Sequence, residues 1–279
     1  MQTNQRHFQT IRKAIELIHS STLSDVDLSS LADKLHISES HFQRLFTDWA
    51  GISPKRYTQF LQNEAALRAL SKSSSVLDVS LQVGLSSPGR LHDLMVTTQA
   101  MTPGEVRQKG QNIDIQYGFV ETRFGRALIA TTTRGICHLS FITDGDEQSL
   151  NKLLNEWSHA SFSENSSEIN KLAETIFSPL GKPGSVSVLL KGSNFQIKVW
   201  EALLKTSAGS VTSYKQLANK AGNEKASRAV GTAMANNPVG YLIPCHRVIK
   251  ANLNIGQYQW ETGRKQMIQA WETCQVLQD

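Results

Sequence analysis

Between Phe8 and Gly51 apolar side chains return at every third or fourth position in three short runs, and each run is closed by a capping residue or a glycine. Ile11, Ala14, Ile15 and Ile18 form the first stripe. Leu28, Leu31, Ala32 and Leu35 form the second, and Phe42, Leu45, Phe46 and Trp49 the third. Helices this short are stable only when each buries its stripe against another, so the pattern demands a packed helical unit. Asp27 and Ser38 stand where N-caps belong and Gly51 where a helix stops, which predicts helix, tight turn, helix. A glycine-free stretch from Tyr57 to Leu70 after Pro54 predicts a longer helix, and then the motif recurs. Val76, Val79 and Val83 mark a helix closed by Gly84, and Ser87-Pro88 opens another with Leu91, Leu94 and Met95 on its inner face. Two helix-turn-helix units joined by a long helix are expected from residue 8 to about 108. A plain helical bundle would show the same periodicity.

The period changes after the polar joint Gly110-Gln111-Asn112. Phe119, Leu128, Ile129, Ile136, Leu139 and Phe141 fall in short segments broken by Gly125 and Gly135, which predicts a small antiparallel sheet. Asp144-Gly145-Asp146 reads as a turn, Leu150, Leu153, Leu154 and Trp157 as a helix, and Ser161 to Ser167 as a surface loop. Cys137 is expected to be a small buried strand residue.

A length of 279 residues suits two compact units. No apolar run approaches the roughly 18 residues that span a bilayer, and the first residues lack the pattern of a secretory signal, so a cytoplasmic location and no membrane contact are expected. The net charge of +5 is unevenly distributed: +2 over residues 1–110, −3 over 111–190 and +6 over 191–279. The three cysteines, Cys137, Cys245 and Cys274, are too few and too widely spaced for a disulfide framework or a zinc knuckle. Neither metal nor cofactor is expected.

Chemistry is concentrated in the basic last third. In Ile243-Pro244-Cys245-His246-Arg247-Val248 a thiol follows a proline in an apolar run, with His246 and Arg247 beside it to favour a thiolate. A cysteine hydrolase and an irreversible alkyl acceptor both fit these residues. Upstream, Ser213 to Ala218 begins a helix, Ala221-Gly222-Asn223 is a turn, and Ala226 to Ala235 is a slim helix whose one charge is Arg228. Such a helix suits a narrow groove or close packing in a core.

Leu31 to Ser38, Phe42 to Phe46, Val83-Gly84-Leu85 and Met101-Thr102-Pro103 together resemble the tandem helix-turn-helix module of AraC-type transcription regulators, over residues 8–107. The resemblance implies that Ser40, His41, Gln43 and Arg44, with Ser86, Gly89, Arg90 and His92, face DNA major grooves. Leu91, where the family usually has an aromatic, and Ala100, where glycine is common, depart from its pattern.

Phe195, Val199-Trp200, Gly209, Ser213-Tyr214, Arg228 to Gly231, Asn236-Asn237-Pro238, Pro244 to Val248, Tyr258, Lys265 and Glu272 resemble, in order and spacing, the O6-alkylguanine-DNA alkyltransferase family over 116–279. The resemblance implies Cys245 as nucleophile, His246 as base through a water, Glu272 as its orienter, Tyr258 as donor to the departing guanine, and Asn237 as a brace before the reactive strand. It also implies that Tyr214 turns the target phosphate outward while Arg228 fills the space of the flipped base. Two departures stand out. The stretch from Ala251 to Gln257 is poor in glycine, so Asn252 or Asn254 is expected to take a positive φ, and Glu261 replaces a glycine where the alkyl pocket closes.

A regulator module joined to an alkyl acceptor resembles the Ada-type proteins without their zinc-bearing methyl-phosphate sensor, since no cysteine precedes Cys137. The expected architecture is multidomain, α and α+β. An all-α double helix-turn-helix domain (1–108) and a linker (109–115) precede a small α/β scaffold (116–190). A mostly helical catalytic DNA-binding subdomain with its own helix-turn-helix (191–279) follows. The expected function is stoichiometric, irreversible transfer of an alkyl group from guanine O6, or thymine O4, in duplex DNA to Cys245, joined to transcription regulation. A regulator with an inactive second domain and a cysteine hydrolase are the alternatives. The implied partners are alkylated double-stranded DNA, a promoter operator and RNA polymerase, and the chain is expected to be a monomer.

Overall fold

The computed structural model describes residues 2–20, 27–58, 61, 94–178, 184–252 and 254–277. Helix α1 (Gln2–Ser20) buries Ile11, Ala14, Ile15 and Ile18 completely. Helix α2 (Leu28–Lys34) starts where the Asp27 carboxylate accepts from Ser30 N at 3.1 Å. Helix α3 (Glu39–Ala50) starts where Ser38 Oγ accepts from His41 N at 3.3 Å and stops at Gly51, whose φ of 77° suits a residue without Cβ. These caps stand where the sequence puts them. Residues 54–58 are helical after Pro54. The remainder of the expected long helix, the helix of Val76, Val79 and Val83, and Ser86, Gly89, Arg90, Leu91 and His92 lie outside the described residues.

Leu94 and Met95, expected on a helical face, instead open strand β1 (Leu94–Ala100), which runs parallel to Gly184–Leu190 with Leu94 opposite Gly184 and Ala100 opposite Leu190. The β-branched run Val96-Thr97-Thr98 explains the difference: such side chains lose rotamer freedom in a helix and fit a pleated surface. A short helix α4 (Pro103–Arg107) follows, with Thr102 N donating to Glu105 Oε2 at 2.7 Å and Glu105 N to Thr102 Oγ1 at 3.3 Å. The joint after it is closely packed, since a Cβ on Gly110 would meet Ala160 Cβ at 2.9 Å.

Strands β2 (Asp114–Thr122), β3 (Gly125–Thr132) and β4 (Gly135–Phe141) form the expected antiparallel meander. Helix α5 (Asp146–Glu156), strand β5 (Ser161–Glu164), helix α6 (Ser166–Ile176) and strand β6 (Gly184–Leu190) come next. The sheet is therefore mixed rather than antiparallel, in the order β1-β6-β4-β3-β2-β5, with β1, β5 and β6 paired in parallel. The segment Ser161–Glu164, expected as loop, is an edge strand because Phe162 turns inward onto Tyr117, ring centroids 6.4 Å apart, while its polar neighbours stay outside. The faces of β3 alternate, and a bulge in its pairing with β4 sends Cys137 to the opposite face from Ile136 and Leu139. Leu128, Ala130 and Cys137 pack with Leu153 and Trp157, while Ala127, Ile129, Ile136 and Leu139 join the core shared with the helices.

Helix α7 (Asn194–Leu204), capped reciprocally by Ser193 and Gln196, leads into strand β7 (Thr212–Ser213), helix α8 (Tyr214–Lys220) and helix α9 (Ser227–Ala235). The chain then docks on the sheet: Leu139 N donates to Pro238 O at 2.9 Å and Gly240 N to Leu139 O at 2.8 Å. That anchorage fixes the start of the segment 241–244 that leads into Cys245. A 3-10 turn at Cys245–Arg247, strand β8 (Val248–Ile249) and helix α10 (Thr262–Val276) complete the fold. Cys245 thus sits in a tight turn and not in the extended strand that the sequence suggested. With three residues per turn, its side chain and that of His246 still diverge.

Candidate active site

Cys245 is 4% exposed, and its sulfur accepts from Asn237 Nδ2 at 3.1 Å. The same amide nitrogen donates to Ile243 O at 3.0 Å, and Asn237 Oδ1 accepts from Val239 N at 3.1 Å, so one buried side chain ties both arms of the loop together. Burial pushes the thiol up, while the Asn237 hydrogen bond and the Lys265 ammonium pull it back. Lys265 Nζ donates to Val248 O at 2.6 Å and to Ile255 O at 2.5 Å, stapling the strand after the thiol to the loop before Tyr258. Burial lowers its pKa to about 8, against the opposing pull of Cys245.

His246 is fully buried and its Nε2 lies 2.9 Å from Glu272 Oε1. Its Nδ1 is buried without a hydrogen-bond partner among the described residues. Glu272, on α10, also accepts from Arg247 Nη2 at 2.6 Å and Nε at 3.0 Å and from Gly209 N at 3.1 Å. Burial pushes the Glu272 carboxyl up, but Arg247 and His246 outweigh it and hold the group well below the usual carboxylate range. Burial lowers the His246 pKa against the pull of Glu272. Arg247 also donates to Thr206 O. It grips Glu272 instead of facing the thiol, which corrects the expectation that it favours the thiolate directly.

Tyr258 hydroxyl is buried, and burial together with the nearby Cys245 raises its pKa well above the ordinary phenol value. Its ring meets Trp260 edge on at 5.3 Å, and the Trp260 ring lies so close to Gly240 that any Cβ there would collide with it. Tyr214, the first residue of α8, is half-buried, and burial together with the nearby Cys245 raises its pKa. Arg228 projects into solvent from α9. Neither Asn252 nor Asn254 takes a positive φ. Gly256 does, at 73°, while the Asn252 side chain accepts from Asn254 N at 3.2 Å. Glu261 also has a φ of 73°, and its carboxylate turns outward to Arg12 instead of closing a pocket.

In the helical unit, Ser40, Gln43 and Arg44 line one shallow groove with Thr47 and Asp48, and His41 lies half-buried beside them. Two contributors were not foreseen. Pattern gives no sign that Arg247 clamps Glu272, and Tyr241 reads as an ordinary apolar residue. The structure stacks its ring on His246, centroids 6.0 Å apart and planes at 21°, from a backbone φ of 67°. Cys137 is a core residue, as expected, with its thiol donating to Ala130 O at 3.5 Å. Cys274 is buried on α10.

A thiol backed by a buried imidazole and carboxylate, on a helix-turn-helix scaffold beside a sheet, defines the class: an alkyltransferase-type catalytic unit fused to a regulator-type DNA-binding unit. Residues 194–274 match the family described as 6-O-methylguanine DNA methyltransferase, DNA binding domain, and residues 31–109 match a helix-turn-helix domain family. Over 264 residues the chain is 30% identical to the bifunctional transcriptional activator/DNA repair enzyme Ada of Escherichia coli (strain K12), an alignment covering 94% of this chain and 74% of that protein. The chain belongs to the Ada family. A shorter match, 52% identical over 73 residues, is to the methylated-DNA–protein-cysteine methyltransferase of Cricetulus griseus, covering 26% of this chain and 34% of that protein. Among solved structures, the O6-methylguanine methyltransferase of Mycobacterium tuberculosis aligns with a TM-score of 0.47 at 26% identity, covering 57% of this chain and 93% of that one. No described helix is long and apolar enough to cross a membrane.

Proposed function

We propose that the chain repairs alkylated DNA by moving an alkyl group from guanine O6, or thymine O4, to Cys245, once per molecule, and that it regulates transcription through its helix-turn-helix units. The hydrogen bond of 2.9 Å between Glu272 and His246, the residue that follows the buried Cys245, carries this reading. With Nε2–H donating to the carboxylate, Nδ1 is the nitrogen left to take the thiol proton through a water. The ionised Glu272 then stabilises the imidazolium. The thiolate attacks the alkyl carbon in line, the carbon–oxygen bond breaks, and Tyr258 donates a hydrogen bond that stabilises the charge developing on the departing guanine, which recovers the thiol's proton from the imidazolium through water. The product is a thioether that no neighbouring group can expel, so turnover ends there.

Because the target base is stacked in a duplex, it has to leave the helix before Cys245 can reach it. Arg228 on the exposed face of α9 is the side chain to occupy its place, and Tyr214 the one to rotate its phosphate. Asn237 holds the loop that presents the thiol. In the regulator unit Ser40, His41, Gln43 and Arg44 read a promoter operator, with Arg90 and His92 doing so from the second unit. We place the division between regulator and catalytic units ahead of strand β1, which pairs into the sheet, and a second division at residue 190. We picture a monomer at work on genomic DNA in the bacterial cytoplasm, touching RNA polymerase when bound at a promoter. Duplex carrying radiolabelled O6-methylguanine tests the transfer. Label is expected on the protein and absent from Cys245→Ala; label that stays on DNA with the unaltered chain would refute it.

A further inference from the structure

Glu261 stands where a backbone without Cβ would be at ease, yet it holds a φ of 73° and a ψ of 136°. Such a conformation costs energy at any residue with a side chain and persists only when its surroundings fix it. The surroundings come from the regulator unit. Arg12 Nη1 on α1 lies 2.6 Å from Glu261 Oε2, and Arg12 Nε is itself steadied by Glu16 Oε1 at 3.0 Å. Next in the chain, Gly263 lies directly under α1: a Cβ there would collide with Glu16 and come within 2.8 Å of Arg12 Nε. Arg264 then stacks over the Phe8 ring at 5.5 Å and donates to Phe124 O and Trp260 O, each at 2.9 Å. Helix α1 therefore lies along the end of the loop that carries Tyr258 and Trp260 to the thiol.

We infer that Arg12, on the first helix of the DNA-binding unit, is a positioning residue for alkyl transfer: through Glu261 it holds the Tyr258–Trp260 loop in its base-receiving shape. The inference rests on the alkyl-transfer reading above. It separates two quantities. The loop walls the place of the base, so loosening it weakens substrate capture. Once captured, the base itself holds Tyr258 in place, so the rate of the bound complex depends on Cys245, His246, Glu272 and Tyr258, none of which touches this ion pair. The pair is partly exposed, with Arg12 at 24% and Glu261 at 40%, which limits the effect to about two- to fivefold.

The test is single-turnover methyl transfer from a short single-stranded oligonucleotide carrying O6-methylguanine, with rate measured against oligonucleotide concentration. Arg12→Glu is expected to raise the half-saturating concentration about two- to fivefold with the saturating rate unchanged. The exchanged pair Arg12→Glu with Glu261→Arg restores it. Lys13→Glu, the same charge change at an exposed site on the same helix, leaves it at the unaltered value. Equal behaviour of Arg12→Glu and Lys13→Glu, no recovery in the exchanged pair, or a loss confined to the saturating rate would each overturn the inference. No transfer by the unaltered chain would instead refute the alkyl-transfer reading itself.

Discussion

Replacing Glu272 by Gln removes one charge and reverses one hydrogen-bond direction at the centre of the site. The carboxylate accepts from His246 Nε2 at 2.9 Å, from Arg247 at 2.6 and 3.0 Å and from Gly209 N at 3.1 Å. A glutamine keeps one accepting oxygen and turns an NH2 toward groups that are themselves donors. Breaking a buried ion pair in this way costs about 3–5 kcal/mol, a large part of a typical total of roughly 5–15 kcal/mol. At roughly 2–4 °C per kcal/mol the melting temperature should fall by about 6–20 °C, leaving a folded protein to assay at low temperature. The transfer rate should fall by about 10²–10⁴-fold, because the imidazolium loses its stabilising charge. The pH dependence has a definite sign. The folded carboxyl titrates well below its unfolded value of about 4.3, so its contribution is complete above that value and is lost as the pH falls toward the folded one. The gap in melting temperature between the two proteins should therefore narrow below about pH 4. Rapid-quench transfer assays and calorimetry across pH measure both effects. A variant with the unaltered rate and melting temperature would refute the role given to Glu272.

Asn237→Ala removes the donor to the Cys245 sulfur, so the pH at which iodoacetamide alkylates the thiol at half its maximal rate should move upward; an unchanged midpoint would show that Asn237 does not tune it. Lys265→Met leaves Val248 O and Ile255 O without their shared donor, and amide exchange over residues 250–258 should quicken about five- to a hundredfold, given about 1–3 kcal/mol for the lost bonds. Unchanged protection would contradict the staple. Arg228→Ala should slow repair of duplex more than repair of the same lesion in single-stranded oligonucleotide, and equal losses would refute the flipping role.

Local chemistry made the helical unit readable: Asp27, Ser38 and Gly51 announce their caps because each acts on neighbours in sequence. The catalytic set was legible by resemblance, since the motif around Cys245 and the distant Glu272 keep family spacing. What escaped depends on partners far along the chain. Nothing near Leu94 reveals that Gly184–Leu190 offers an edge to pair with, so local periodicity misread a strand as a helix. Nothing near Ser161 reveals that Asp114–Tyr117 does the same. Glu261 looked like an intruder in a pocket because its partner, Arg12, is 249 residues away. Arg247 pointed to the thiol by adjacency, whereas a turn sends it to Glu272.

The central claim is that each chain accepts one alkyl group on Cys245 and then stops. Titrating a fixed amount of protein with excess O6-methylguanine duplex, and counting both repaired lesions and modified peptides by mass spectrometry, measures this directly. The account predicts one repaired guanine per chain, with the added methyl on the peptide containing Cys245. Repair of more lesions than there are protein molecules, or a methyl on any other residue, would contradict it.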